Sequence, residues 1–193
     1  MTAFILATAN VHKADEMRAV LLPLGVQLED RPVGVADVEE TGATLEENAL
    51  LKARALAEAT GCAAIADDTG LFVDALNGRP GVRSARYAGE GASYDDNVTK
   101  LLRELSGVPT PRTARFVTVI AAAYPDGTSF CVEGVLEGAI SEARAGDQGF
   151  GYDPVFVPDA EGRSLAQLSA REKNELSHRG RALRALCEEL AKR

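Results

Sequence analysis

The sequence predicts an α/β fold, and three observations carry that expectation. Residues 3–8 are a short apolar run followed at once by a helix-like stretch, the pattern of a strand feeding a helix. Residues 114–124 are largely apolar on both alternating faces, as in a central strand covered on two sides. Helix starts are marked by Thr44 with Glu47 and Ser169 with Glu172, two capping boxes, and by Ser93 with Asp96. With 193 residues and 46% hydrophobic content the chain can bury one sizeable core, and no linker-like stretch divides it. One domain is expected, with room for two lobes.

Taken in order, the first helix spans about residues 11–22, with Ala14, Met17, Val20 and Leu21 near one face and Pro23 and Gly25 closing it. Free backbone N–H groups and the positive end of the helix dipole meet at Thr8-Ala9-Asn10, with Lys13 one turn along, the layout of a phosphate cradle. The P-loop pattern GxxxxGK[ST] is absent, and Asn10 has a second reading as a helix cap. Residues 33–38 lead to Glu39-Glu40-Thr41-Gly42, two acids outside the first turn of the next helix, where they can serve its dipole or a metal. That helix covers residues 45–60, with Gly61 behind it and a small apolar stripe of Leu45, Ala49, Ala53, Leu56 and Ala57. Lys52 sits at the margin of the stripe, where spacing alone favours a solvated, snorkelling side chain.

The chain is organised around residues 63–89. The run 63–66 reads as a buried strand that delivers Asp67-Asp68-Thr69-Gly70 into a turn, and Leu71, Val73 and Ala75 begin a second strand leaving it. Such a tetrapeptide is ordinary turn chemistry. Neighbouring side chains on extended backbone point to opposite sides, so Asp67 and Asp68 are expected to differ, one bracing the turn and one facing a cleft. Gly78-Arg79-Pro80-Gly81 follows as a rigid loop, and a helix runs from Ser93 to about Leu105. After the central strand, Asp126-Gly127 signals a hairpin into a second long strand over residues 129–140, whose Gly134 and Gly138 mark bends or close packing. Gly149-Phe150-Gly151-Tyr152-Asp153-Pro154 then leads to a short strand at 155–157. Its aromatic rings, flanked by glycines, offer flat faces for a base or serve packing. The C-terminal part is helical, with Leu183, Leu186, Cys187 and Leu190 as the last stripe and Lys173, His178 and Arg179 gathered near a helix junction.

Charge and cysteine usage narrow the function. Twenty-one basic against 29 acidic residues leave a net charge of −8, which argues against nucleic acid or an anionic membrane as partner, so an anionic substrate must be held by local cations. Cys62, Cys131 and Cys187 are odd in number and lack a CxxC pair, which suggests neither a disulfide framework nor a zinc site and fits a reducing cytoplasm. The run 3–9 is short and no basic side chain precedes it, so it reads as a strand rather than a signal peptide; no stretch is long enough to span a membrane.

The segments TxNxxK (Thr8, Asn10, Lys13), EETGATLEENALLKA (from Glu39), ADDTGL (from Ala66), GRPGVRSARYAG (from Gly78), GFGYDPVF (from Gly149) and EKNELSHRGRAL (from Glu172) occur in this order over nearly the whole chain. Together they resemble the inosine triphosphate pyrophosphatase family, also known as Ham1 or RdgB-type noncanonical purine NTP pyrophosphatases. The resemblance implies a long mixed β-sheet flanked by helices, in two lobes with the active site in the cleft between them. It implies a homodimer, cytoplasmic and dependent on Mg²⁺, that converts ITP, dITP and XTP to monophosphate and pyrophosphate and so cleanses the nucleotide pool.

The same resemblance assigns roles. Thr8, Ala9, Asn10, Val11, His12 and Lys13 form the triphosphate loop, Glu40 and Asp68 ligate the metal, and Asp68 accepts the proton of the attacking water. Thr69, Phe150, Gly151, Tyr152, Asp153, Lys173, His178 and Arg179 complete the substrate-binding set, with Lys52 as a further phosphate contact. Ala9, His12 and Thr69 depart from the frequent glycine, small residue and serine of the pattern. The chemistry is coherent: a triphosphate needs its charge neutralised before water approaches phosphorus, and a carboxylate beside Mg²⁺ can order and deprotonate that water. His178 and Arg179 are expected to select a 6-oxo purine, since arginine only donates and adenine presents a donor at that edge. The sequence admits two rivals, a Maf-like pyrophosphatase with other base preference and a non-enzymatic nucleotide sensor, which would need no acid placed for water.

Overall fold

The computed structural model describes residues 2–8, 10–159 and 161–193. Strand β1 (Thr2–Leu6) leads into helix α1 (Val11–Leu21), where the Asn10 side chain accepts from the Lys13 backbone N–H at 3.3 Å, so Asn10 does cap the helix. Gly25, in the left-handed region at φ 81°, turns the chain into β2 (Val26–Glu29), a strand that periodicity missed because only four residues form it. Residues 33–38 belong to no helix or strand. Helix α2 (Leu45–Thr60) has the predicted limits: Thr44 and Glu47 cap each other, Gly61 ends it at φ 67°, and Leu45, Ala49, Ala53, Leu56 and Ala57 are all buried.

The largest departure from expectation comes next. Residues 67–70 form no turn; β3 (Ala64–Val73) runs through them unbroken. Local composition signals a turn, but both aspartates find partners remote in sequence that offset the cost of burying them, and the strand continues. The true reversal follows at Asn77 and Gly78, both with positive φ, and brings β4 (Pro80–Gly81) back antiparallel onto Leu71 and Phe72. Helix α3 (Tyr94–Glu104) begins in a Ser93–Asp96 capping box. The hairpin strands β5 (Thr113–Ala123) and β6 (Ser129–Ile140) turn at Gly127 as the sequence foretells. Then come β7 (Phe156–Pro158), α4 (Ala170–Leu176), capped by Ser169 and Glu172, and α5 (His178–Leu190).

The strands form one mixed seven-stranded sheet in the order β2-β1-β3-β5-β6-β7, with β4 on β3. β1 pairs in parallel with β2 and β3, whereas β6 and β7 are antiparallel. The buried pattern of β5 agrees with its inner place in that order.

The chain divides into two compact units, each with its own apolar core. Unit 1 (Met1–Asp68, Thr118–Gly134 and His178–Arg193) packs Phe4, Leu6, Met17, Leu21, Ile65, Ile120, Leu183 and Leu186. Fully buried side chains of this size each contribute about 1.5–3 kcal/mol. In this unit β6 and α5 meet backbone to backbone: a Cβ on Gly134 would lie 2.1 Å from the His178 carbonyl oxygen and 2.4 Å from the Ala182 nitrogen. Unit 2 (Thr69–Val117 and Val135–Ser177) packs Leu71, Val73, Leu101, Leu105, Phe116, Val155, Phe156 and Leu165, with the Phe116 and Phe156 rings 4.7 Å apart.

Candidate active site

In unit 1 the chemistry gathers on the two adjacent aspartates at the middle of β3. Lys13, from the first turn of α1, places its ammonium 3.0 Å from Asp67 Oδ2, and Arg179, from the first turn of α5, donates to the same oxygen at 3.4 Å. The other arm of Arg179 donates to Glu16 at 2.5 Å, and the arginine side chain is only 2% exposed. Asp68 receives a hydrogen bond from Asn48 Nδ2 at 3.1 Å and lies 3.6 Å from the Lys52 ammonium, both residues belonging to α2. Adjacent strand residues point to opposite faces. Hence α1 and α5 attend one face of the sheet and α2 the other.

Lys52 is not the solvated lysine that spacing alone favours. Its ammonium donates to Glu40 Oε1 and to the Asp67 carbonyl, both at 2.7 Å, because the segment ahead of α2 folds back over the helix and brings Glu40 within reach. A single cation thus lies against two carboxylates, Glu40 and Asp68.

The two aspartates titrate in opposite directions. Burial opposes ionisation of Asp67, but Lys13, Arg179 and Lys52 together overcome it and hold the carboxyl well below the usual range. Burial also dominates at Asp68, where Lys52 and Lys13 only partly compensate, Glu40 adds repulsion and the Asn48 bond lowers; its carboxyl is pushed up. For Lys52 burial is again the largest influence, and the charges of Asp68, Asp67 and Glu40 outweigh it and raise the ammonium pKa.

The rest of the N-terminal loop lies around the α1 start. The Asn10 N–H donates to Thr8 Oγ1 at 3.1 Å, Val11 and His12 are exposed, and Ala9 lies outside the described residues. His178 opens α5 and is 3% exposed.

Unit 2 holds the other predicted residues. Lys173 donates to Asp153 Oδ2 at 2.5 Å and stands 4.6 Å above the Phe150 ring, while the Phe150 N–H donates to the same Asp153 oxygen at 2.8 Å. Tyr94 packs against Phe150 at 5.8 Å between ring centroids. Tyr152 is buried with its hydroxyl on the Ser84 carbonyl at 2.9 Å, the packing alternative weighed for that aromatic. Gly151 occupies the turn between the two rings, and Thr69 is half-buried on β3. Lys173 and Arg179, neighbours in the sequence cluster, therefore end on different acids, Asp153 in one case and Asp67 with Glu16 in the other.

Three residues of this network escaped the sequence reading as partners: Glu16, Asp67 as a hub of cations, and Asn48. A signal existed for Asn48, since it falls among Leu45, Ala49 and Ala53 on a face that should be apolar, yet it is fully buried. Among the described residues no three His, Cys, Asp or Glu side chains gather as a metal cage. Glu40 and Asp68 nevertheless fit Mg²⁺, which is commonly held by one or two carboxylates and completes its shell with water and substrate phosphate. The Lys52 ammonium lies against both carboxylates, 2.7 Å from Glu40 and 3.6 Å from Asp68.

Comparison with known proteins agrees with this architecture. A model of the Ham1 family matches residues 4–189. The dITP/XTP pyrophosphatase of Nitratidesulfovibrio vulgaris is 53% identical over 95% of this chain and 93% of its own, and that of Streptomyces coelicolor is 50% identical over 96% of both. Among solved structures, a HAM1 protein from Coxiella burnetii superposes with a TM-score of 0.91 at 40% identity over the whole of both chains. The Staphylococcus aureus Ham1 protein does so at 0.88, also at 40% identity, over 99% of both chains.

Proposed function

The chain belongs to the Ham1 family, and from that premise we propose that it is a nucleoside triphosphate pyrophosphatase, converting dITP, XTP and ITP to the monophosphate and pyrophosphate. The observation that carries this reading is the split of Asp67 from Asp68, one acid paired with Lys13 and Arg179, the other turned to Asn48, Lys52 and the Glu40 segment on the opposite side of β3. Water attack on phosphorus needs a base, and Asp68 is the carboxylate of the pair that is not tied up between two cations. Relatives of about half identical sequence over nearly the full chain bear the name of this activity.

Asp68 takes the proton of the attacking water as its oxygen closes on the α-phosphorus, and the β,γ-unit leaves as pyrophosphate. Lys13, at the positive end of α1, neutralises phosphate charge, with the Thr8–Lys13 backbone supplying further donors. Glu40 and Asp68 would hold Mg²⁺, which, when bound, supplies charge neutralisation on the triphosphate. In unit 2 the Phe150 ring offers a stacking face and Lys173 a cation at its edge. His178 and Arg179, at the start of α5, are the base-selecting donors, and Asp67 and Glu16 hold the Arg179 guanidinium in place. A homodimer in a reducing cytoplasm completes the reading, in keeping with three free cysteines. No helix among the described residues is long and apolar enough to cross a membrane.

A substrate panel with labelled products tests this. Monophosphate and pyrophosphate in equal amounts, with dITP and XTP preferred over ATP and GTP, are expected; orthophosphate with diphosphate as primary products would overturn it. The Maf-like alternative is not favoured, because the Ham1 model covers nearly the entire chain.

A further inference from the structure

Asn48 is 0% exposed on α2, where both helix propensity and desolvation argue against an asparagine. Its amide makes two contacts. Oδ1 accepts from the Gly42 N–H at 2.8 Å, two residues beyond Glu40, and Nδ2 donates to Asp68 Oδ2 at 3.1 Å. The first contact fixes the second, since an amide whose oxygen faces an N–H must present its NH₂ on the other side.

One turn along the same helix face, Lys52 repeats the geometry with a charge. It reaches back to the same segment at Glu40 (2.7 Å) and across to Asp68, this time to Oδ1 at 3.6 Å. Asn48 and Lys52 are thus two rungs, each joining the 40–42 segment to Asp68 and each addressing a different carboxylate oxygen. The rungs are unequal. The Lys52 contact with Asp68 is long and ionic, and an arriving cation can compete with it. The Asn48 contact is buried, neutral and directional.

We infer that Asn48 is the positioning residue of the acid pair: it ties the Glu40 segment and the Asp68 carboxylate to one helix, holds Oδ2, and so presents Oδ1 to the reacting water. The inference rests on the reading of Asp68 as base. A mere staple between helix and loop would need only the Gly42 contact. The bond to Asp68 is what positioning adds.

Gly42 supplies an independent handle. A Cβ there would lie 2.6 Å from Asn48 Oδ1, 2.7 Å from the Glu47 Cβ and 3.0 Å from the Asn48 backbone nitrogen, so Gly42→Ala displaces the amide while leaving Asn48 and Asp68 in the chain, and Thr44→Ala, which disturbs the same cap without touching the amide, serves as its control. The experiment compares the parent, Asn48→Ser and Gly42→Ala for kcat and KM on dITP, for affinity toward the α,β-imido analogue of dITP, and for Tm. Loss of a partner that orients a metal- or proton-handling group typically lowers activity by about 10–100-fold, so kcat should fall by about tenfold or more in both variants while analogue affinity stays within about threefold. A folded Asn48→Ser with kcat within about threefold of the parent overturns the inference, as does a parallel fall of kcat and affinity in step with Tm, the mark of a structural staple. Should Asn48→Ser fail to fold, Gly42→Ala decides by the same criteria. A parent that turns over neither dITP nor XTP overturns the functional reading and this inference with it, an outcome distinct from an active parent with unaffected variants.

Discussion

The two sides of β3 at its midpoint are one peptide bond apart and chemically opposite. On the α1 and α5 side, Asp67 has no side-chain exposure and shares one oxygen between Lys13 and Arg179. On the α2 side, Asp68 meets an amide and a more distant lysine, with a second carboxylate, Glu40, bearing on it. Two cations, Lys13 and Arg179, converge on Asp67 on the first side, and burial prevails on the second. An acid whose charge is fully answered is fixed and inert, while one that is under-compensated remains able to take a proton or accept a cation. Strand alternation turns a repeated residue toward two different sets of helices, and these produce the division of labour.

The comparison breaks first on catalysis. Asp68→Asn is nearly isosteric but cannot accept a proton, so turnover should fall by roughly 10² to 10⁴ with nucleotide affinity largely kept. Turnover within a few-fold of the parent would move the base elsewhere. Asp67→Asn should act on stability instead, because it strands Arg179 and Lys13 beside a neutral amide; removing one partner of a buried ion pair costs about 3–5 kcal/mol, read as a shift of the denaturant midpoint. Equal stability of the two variants would erase the distinction.

Titration sharpens it. The folded pKa of Asp67 is depressed, so the unfolded chain binds more protons there. The stability Asp67 contributes is complete above the ordinary carboxylate pKa near 4 and is lost as pH falls through the lower folded value. Asp68 has the opposite sign: its folded pKa is raised, its charge weighs against folding at neutral pH, and that burden lifts as pH falls through the raised value. In chelator-treated protein, Asp67→Asn should therefore flatten the acid arm of the stability profile, whereas Asp68→Asn should be no less stable than the parent at pH 7. The smallest effect is expected for Thr44→Ala. It removes the cap at the α2 start and costs about 1 kcal/mol by thermal melt, with little change in kcat because the Asn48 and Lys52 rungs remain.

Much of this was legible in the sequence where local rules govern. The limits of α2, the capping boxes at Ser93 and Ser169 and the hairpin at Gly127 all follow from residues within a few positions of one another. The error at residues 67–70 has the reverse cause. Asp-Asp-Thr-Gly is turn-like by itself, and what keeps it extended are partners such as Lys13 and Arg179, more than fifty and a hundred residues away, which no window sees. The same blindness hid the engagement of Lys52 with Glu40 and the role of Asn48, whose only local trace was a polar residue on an apolar stripe. Motif resemblance singled out Lys13, Glu40, Lys52 and Asp68, which the fold gathers about the two aspartates, because it records such distant partnerships without explaining them.

The contact at Gly134 carries a consequence for how this protein can change. With 2.1 Å between a would-be methyl and the His178 carbonyl, the absent side chain acts as a locating pin for α5. Arg179 sits one residue into that helix, its two arms on acids from α1 and β3, and long buried side chains of this kind tolerate little misplacement. An alanine at residue 134 would thus be felt at Asp67 before it was felt on β6 itself. A mutational route that reshapes the charge network must pass through Arg179 or its acids, since the strand beneath the helix start leaves no slack to drift.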